Sequence, residues 1–236
     1  MRGLRLMPFF FFDPTMIIVL PAILLALYAQ FKVKSTFNKY LDVRSKSNLT
    51  GADVAYQLLR NEGINDVSVE RVSGELTDHY DPRSKTLRLS SNVYGSSSLA
   101  ALGVAAHETG HAIQDNVDYA PLRFRHSLVP VANLGSQAGP FLAMIGLIFG
   151  SGFLLNLGLI FFAGAALFQI VTLPVEFNAS SRALKLLEKH NYLDRQEISG
   201  AKKVLNAAAL TYVAATLVAI GHLIRLLVLS RMMDDD

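Results

Sequence analysis

The sequence contains no cysteine and no tryptophan, and only 17% of its 236 residues are charged. Without cysteine there is no disulfide framework and no thiolate metal site, so a metal here must be held by His, Asp, Glu or water. Soluble domains usually carry about a quarter charged residues. The shortage of charge argues against disorder, a coiled coil and a nucleic-acid-binding module. The net charge is +3 with no long run of Lys or Arg, so nucleic acid is not an expected partner. What the chain has is apolar residues, 51% of the total, and they are clustered.

A membrane helix needs about 20 mostly apolar residues. Four stretches meet that requirement: about 14–31, 128–149, 152–173 and 204–224. The second is interrupted by Pro130, Asn133, Gln137 and Pro140, and the fourth carries Asn206, Tyr212 and His222. The third has no charge and no polar face to turn to water, which argues against core helices of a soluble domain. No small-x-small cleavage site follows the first stretch, so it reads as a retained anchor. Lys32, Lys34, Lys39, Arg44 and Lys46 follow it directly and place the next segment in the cytoplasm. Arg123 and Arg125 agree, and Arg182, Lys185, Lys189, Arg195, Lys202 and Lys203 return the segment after the third stretch to the same side. Both termini then lie outside; Arg2, Arg5, Arg225 and Arg231 run against this, and a start at Met7 would remove the first two. Gly135/Gly139 and Gly146/Gly150 are small-xxx-small pairs that allow close helix approach.

The expected organisation is an anchor (1–31), an α+β part (32–127), a transmembrane hairpin (128–174), a cytoplasmic helix (175–203), and a fourth span with its tail (204–236). Within the second segment, Thr50 and Asp53 form a capping-box pattern for a helix from Gly51 to about Asn61, with Gly63 as its stop. Strands are expected at 67–72, 76–80 and 86–89, the last two joined as a hairpin by Asp81-Pro82-Arg83-Ser84. Ser96, Ser97 and Ser98 then cap a helix to about Gln114.

That helix contains His107-Glu108-Thr109-Gly110-His111, an H-E-x-x-H pattern. Residues i and i+4 share a helix face, so two imidazoles reach one zinc ion, and Glu108 beside them is placed to act on a water. A chance match is expected in about 1 of 200 such chains. A catalytic zinc needs a third protein ligand and an open position. No further His stands in a suitable polar setting, so a carboxylate is required. Glu176, just past the third apolar stretch, has two readings: a zinc ligand, or an acid in the first turn of a helix that starts at Pro174. Gly110 either clears space for substrate or admits a neighbouring helix.

The stretches FFFFDPT, LTDHYDPRSKTLRLS, AALGVAAHETGHAIQ, FQIVTLPVEFNASSRAL and AAALTYVAA resemble the YugP-type family of membrane zinc metallopeptidases across nearly the whole chain. That family is similar to the HtpX-like gluzincins. The resemblance implies a mainly α integral membrane protein, with four transmembrane helices and a gluzincin-like cytoplasmic α+β metalloprotease domain holding a small sheet. It implies one zinc ion per chain on His107, His111 and Glu176, and a plasma-membrane location with a cytoplasmic site. Ser180 stands where gluzincins carry an Asp that supports a zinc ligand, so the support here would be a neutral hydrogen bond. The expected reaction is peptide-bond hydrolysis with Glu108 as general base, on peptides or membrane proteins, in contact with the lipid bilayer. Candidate oxyanion donors are His79, Tyr80, Tyr212 and Arg182, and Asp78, His79 and Tyr80 are candidate substrate-binding residues by strand addition. The competing expectation is a non-catalytic membrane scaffold with a structural zinc. A transporter is disfavoured because the first and third stretches hold no ionisable group.

Overall fold

A computed structural model describes residues 14–234. Arg2, Arg5, Met7 and most of the FFFFDPT stretch lie outside the described residues. The chain is mainly helical, with elements α1 (Met16–Leu41), α2 (Gly51–Asn61), β1 (Ser68–Val72), β2 (His79–Asp81), β3 (Thr86–Ser90), α3 (Ser91–Tyr94), α4 (Leu99–Asn116), α5 (Ala120–Phe149), α6 (Gly152–Lys189) and α7 (Arg195–Asp234). By length and composition α1, α5, α6 and α7 can each cross a membrane, and only 11–33% of their most apolar windows is buried. Exposed apolar side chains such as Leu24, Phe141 and Ile160 suit contact with lipid rather than water.

The chain divides into two compact units. Among the described residues, the apolar unit comprises 14–28, Phe124–Thr172 and 212–234. Here α5 and α6 approach closely at glycines. A Cβ on Gly139 would lie 3.0 Å from the backbone nitrogen of Phe162, and one on Gly146 or Gly158 would strike backbone still closer. Gly150, at φ +64, lets the chain turn between the two helices.

The polar unit comprises Ala29–Arg123 and Leu173–Thr211. Its start follows from local signals. Thr50 and Asp53 make the reciprocal capping box of α2, and Gly63 at φ +75 ends it as Ile64 N–H donates to Leu59 C=O. The sheet order is β1-β3-β2, with β2 antiparallel to β3 as the hairpin turn predicts and β1 parallel to β3. Leu87 and Leu89 of the central strand project from one face into a core with Val54, Leu58 and Leu59 of α2 and Leu102 of α4. Ser98 caps α4 by accepting the Ala101 N–H. This buried helix, α4, carries the H-E-x-x-H residues.

Two expectations change. The helix expected to start at Pro174 is the second half of α6, which runs unbroken from Gly152 with Pro174 in its interior. Proline there removes one amide, leaving the Ile170 carbonyl without its i+4 donor, and the helix continues across the gap. The polar unit also extends past residue 203 to Thr211, because Val204 and Leu205 are buried in its core.

Candidate metal centre

Helix α4 presents His107 and His111 one turn apart, their rings 4.8 Å apart and nearly perpendicular. Helix α6 crosses this face at Gly110, where a Cβ would lie 2.8 Å from the Ala179 carbonyl oxygen and 3.2 Å from its Cα. Gly110 therefore admits a neighbouring helix. The close crossing brings in Glu176 and Ser180, one turn apart on α6 and flanking Ala179. The first-turn reading of Glu176 is overturned, since the residue lies deep inside α6.

The Glu176 carboxylate is 3% exposed, and its Oε2 lies 3.3 Å from His107 Nε2 and 3.5 Å from His111 Nε2. Ligand atoms of all three lie within 4.8 Å of one another. These separations test the fit of a metal. Zinc bonds of about 2.0–2.1 Å at tetrahedral angles set ligand atoms about 3.3–3.4 Å apart, and the two measured separations bracket that value. Two imidazole nitrogens and one carboxylate oxygen also form the donor set of a hydrolytic zinc with one open position. Burial works against ionisation of Glu176, but the two facing imidazoles outweigh it and hold the carboxylate well below its usual range.

Glu108 sits beside the cluster, and burial, together with the charge of Glu176, pushes its carboxyl up to about 7. His107 opposes that rise, as does the backbone N–H of Tyr80, which reaches the Glu108 carboxylate from β2. The outward nitrogens of the imidazoles are occupied. His107 Nδ1 meets Ser180 Oγ at 3.1 Å, and His111 Nδ1 meets Gln114 Oε1 at 3.0 Å.

The hairpin side chains are committed elsewhere. Asp78 accepts from the Ser90 backbone N–H and hydroxyl, and burial raises its carboxyl. His79 is exposed, with Nδ1 donating to the Thr77 carbonyl. The Tyr80 hydroxyl donates to Asp115 Oδ2 at 2.8 Å, and burial followed by that carboxylate raises its pKa. Arg182 Nε donates to Asn178 Oδ1, and Tyr212 belongs to the apolar unit. Three residues were not anticipated. Gln114 and Asn178 connect the histidine helix to α6, and Asp115 ties that helix to the hairpin through Tyr80 and Lys85. The signal for Gln114 is its place three residues after His111, on the same helix face.

A protein family described as "Putative neutral zinc metallopeptidase" matches residues 15–231. The chain is also similar to "Putative membrane protease YugP" of Bacillus subtilis (strain 168), at 48% identity over 208 residues, covering 88% of this chain and 92% of that relative. No solved structure matches the chain.

Proposed function

The chain belongs to the zinc metallopeptidase family that matches it, and from that premise we propose that it is a membrane-embedded zinc endopeptidase cleaving membrane-associated proteins. The observation that carries the reading is the convergence of His107, His111 and Glu176 beside a buried Glu108 whose carboxyl is poised near neutrality. The three residues would hold one zinc ion. Zinc held there supplies the Lewis acidity that polarises a carbonyl and lets water ionise near neutral pH.

Glu108 acts as the general base. It takes a proton from water in the site and returns it to the leaving amine nitrogen, a role suited to a group with a pKa near the working pH. Ser180 and Gln114 hold the two imidazoles by their outer nitrogens. The outer edge of β2, the strand at one side of the sheet, receives an extended peptide by strand addition. Because Asp78 and Tyr80 spend their side chains inside the protein and the Tyr80 N–H serves Glu108, the remaining backbone groups of β2 do the holding. The resemblance implies a gluzincin-like polar unit, and the basic residues around it support a place on the cytoplasmic side of the plasma membrane by the positive-inside preference. In this reading the chain runs as anchor, polar segment, hairpin, polar helix and fourth span.

The test is elemental analysis of the purified full chain together with cleavage of a membrane-protein substrate panel. Glu108→Gln keeps zinc and loses activity by about 10²–10⁴-fold. His107→Ala and Glu176→Ala lose zinc. Undiminished cleavage by Glu108→Gln, with zinc bound, would remove Glu108 from the role of base, and a closed fourth coordination position would make the metal structural.

A further inference from the structure

In this cluster both Nε2 atoms face Glu176, so to bind zinc there each imidazole must offer its Nε2 lone pair and carry its proton on Nδ1. The groups facing the two Nδ1 atoms differ in whether they enforce this. For His111 the constraint can be followed outward residue by residue. The Arg182 guanidinium only donates, and its Nε lies 2.8 Å from the Asn178 side chain, which identifies the atom there as oxygen. The Gln114 amide nitrogen donates to that oxygen at 3.0 Å and to the Val175 carbonyl at 2.8 Å. Both partners accept only, so the amide cannot be turned over. Its Oε1 therefore faces His111 Nδ1, and an amide oxygen accepts only, so Nδ1 carries the hydrogen. Gln114 is completely buried, and Val175, Asn178 and Arg182 share one face of α6, so the chain of constraints lies in fixed structure.

His107 has no such constraint. Its Nδ1 faces the Ser180 hydroxyl, which both donates and accepts. With the hydroxyl donating, the His107 proton sits on Nε2, 3.3 Å from Glu176 Oε2, where the carboxylate charge favours it. With the hydroxyl accepting, the proton sits on Nδ1 and Nε2 is open to metal. In the second arrangement the Nε2 lone pair lies beside Glu176 Oε2, and a bound metal ion is what would satisfy it.

We propose that the two histidines are unequal ligands: Gln114 is a positioning residue that locks His111 in the metal-ready tautomer, whereas Ser180 lets His107 change tautomer when metal enters. This rests on the zinc reading above. In the change, one proton leaves Nε2 to water, one reaches Nδ1 from water, and the hydroxyl rotates about its C–O bond, with no net proton gained. The metal-free site is thereby stabilised by the attraction of the His107 Nε2–H to the Glu176 carboxylate, which zinc must displace.

The experiment is nitrogen-15 NMR of histidine-labelled full chain in detergent, without and with zinc, with assignments from the His107 and His111 variants and zinc affinity from chelator competition. The expected metal-free protein shows Nδ1–H for His111 and Nε2–H for His107, and zinc moves only His107. Gln114→Leu converts His111 to a mixture of tautomers and weakens zinc binding by about 10–100-fold. Gln114→Glu keeps an acceptor and so keeps the His111 tautomer while losing both bonds to α6, which separates positioning from helix packing. Ser180→Asp, an acceptor alone, fixes His107 as Nδ1–H before metal and tightens zinc binding about tenfold or more. An unchanged His111 tautomer in Gln114→Leu, or Nδ1–H on His107 in the metal-free wild type, overturns the proposal. If the wild type binds no zinc while Gln114→Leu still scrambles His111, the positioning role stands and the zinc reading falls.

Discussion

Leu58, Leu59, Leu87, Leu89 and Leu102 fill the core of the polar unit, whereas in the apolar unit α5 meets α6 at Gly135, Gly139, Gly146 and Gly158. The difference reflects solvent. In water, removing leucine surface drives packing, and bulky side chains are an asset. In lipid that driving force is missing between helices, and close backbone contact through small residues takes its place. The candidate metal centre borrows the second device inside the first unit. There α4 and α6 touch through Gly110 and Ala179 rather than through leucines, which brings Glu176 within reach of the histidines.

The comparison can be broken most strongly through the charge that the polar unit buries. Glu108 is raised from its ordinary 4.5 to about 7. A carboxyl that holds its proton more tightly when folded contributes fully below its unfolded pKa, and that contribution is lost as pH rises through 7. The metal-free protein should lose on the order of 3 kcal/mol across that window. Glu176, held low, is already ionised there and adds no slope. Thermal melts from pH 5 to 8 should show the slope in the metal-free wild type and not in Glu108→Gln; matching slopes would refute the burial argument. Next is a paired substitution. Gly110→Ala drives a Cβ against the Ala179 backbone and should lower stability by about 1–3 kcal/mol, with a loss of zinc affinity. Gly139→Ala meets its nearest neighbour at 3.0 Å, should cost about 1 kcal/mol, and should leave zinc affinity alone. Equal effects of the two on zinc would erase the distinction between the crossings. Smallest is Tyr80→Phe, which removes one hydrogen bond to Asp115 and should lower stability by about 1 kcal/mol in denaturant titration.

Much of the polar unit was legible because its signals are local. The Thr50/Asp53 box, the Asp81–Ser84 turn and the Ser98 cap each act within four residues, and each appears where it was read. The parallel pairing of β1 with β3 was not legible, since pairing across 18 residues leaves no mark on either segment. Pro174 misled for a physical reason: it suits a helix start, but an exposed proline inside a long helix removes only one internal bond. The H-E-x-x-H pattern gave two histidines and a glutamate. The commitment of the Tyr80 hydroxyl and the orientation of Gln114 depend on chain segments brought together only by folding.

The two halves of the candidate centre are separated in time as well as in sequence. His111 and Glu176 stand 65 positions apart (176 minus 111), with all of α5 and the first part of α6 between them. At about 5–20 residues per second, a ribosome needs roughly 3–13 s to reach the glutamate after making the histidine pair. During that interval the nascent chain carries two imidazoles without their carboxylate. Assembly of the centre waits on synthesis of α5 and of α6 as far as Glu176, so a newly made copy cannot complete its three-residue cluster before most of that hairpin has been synthesised.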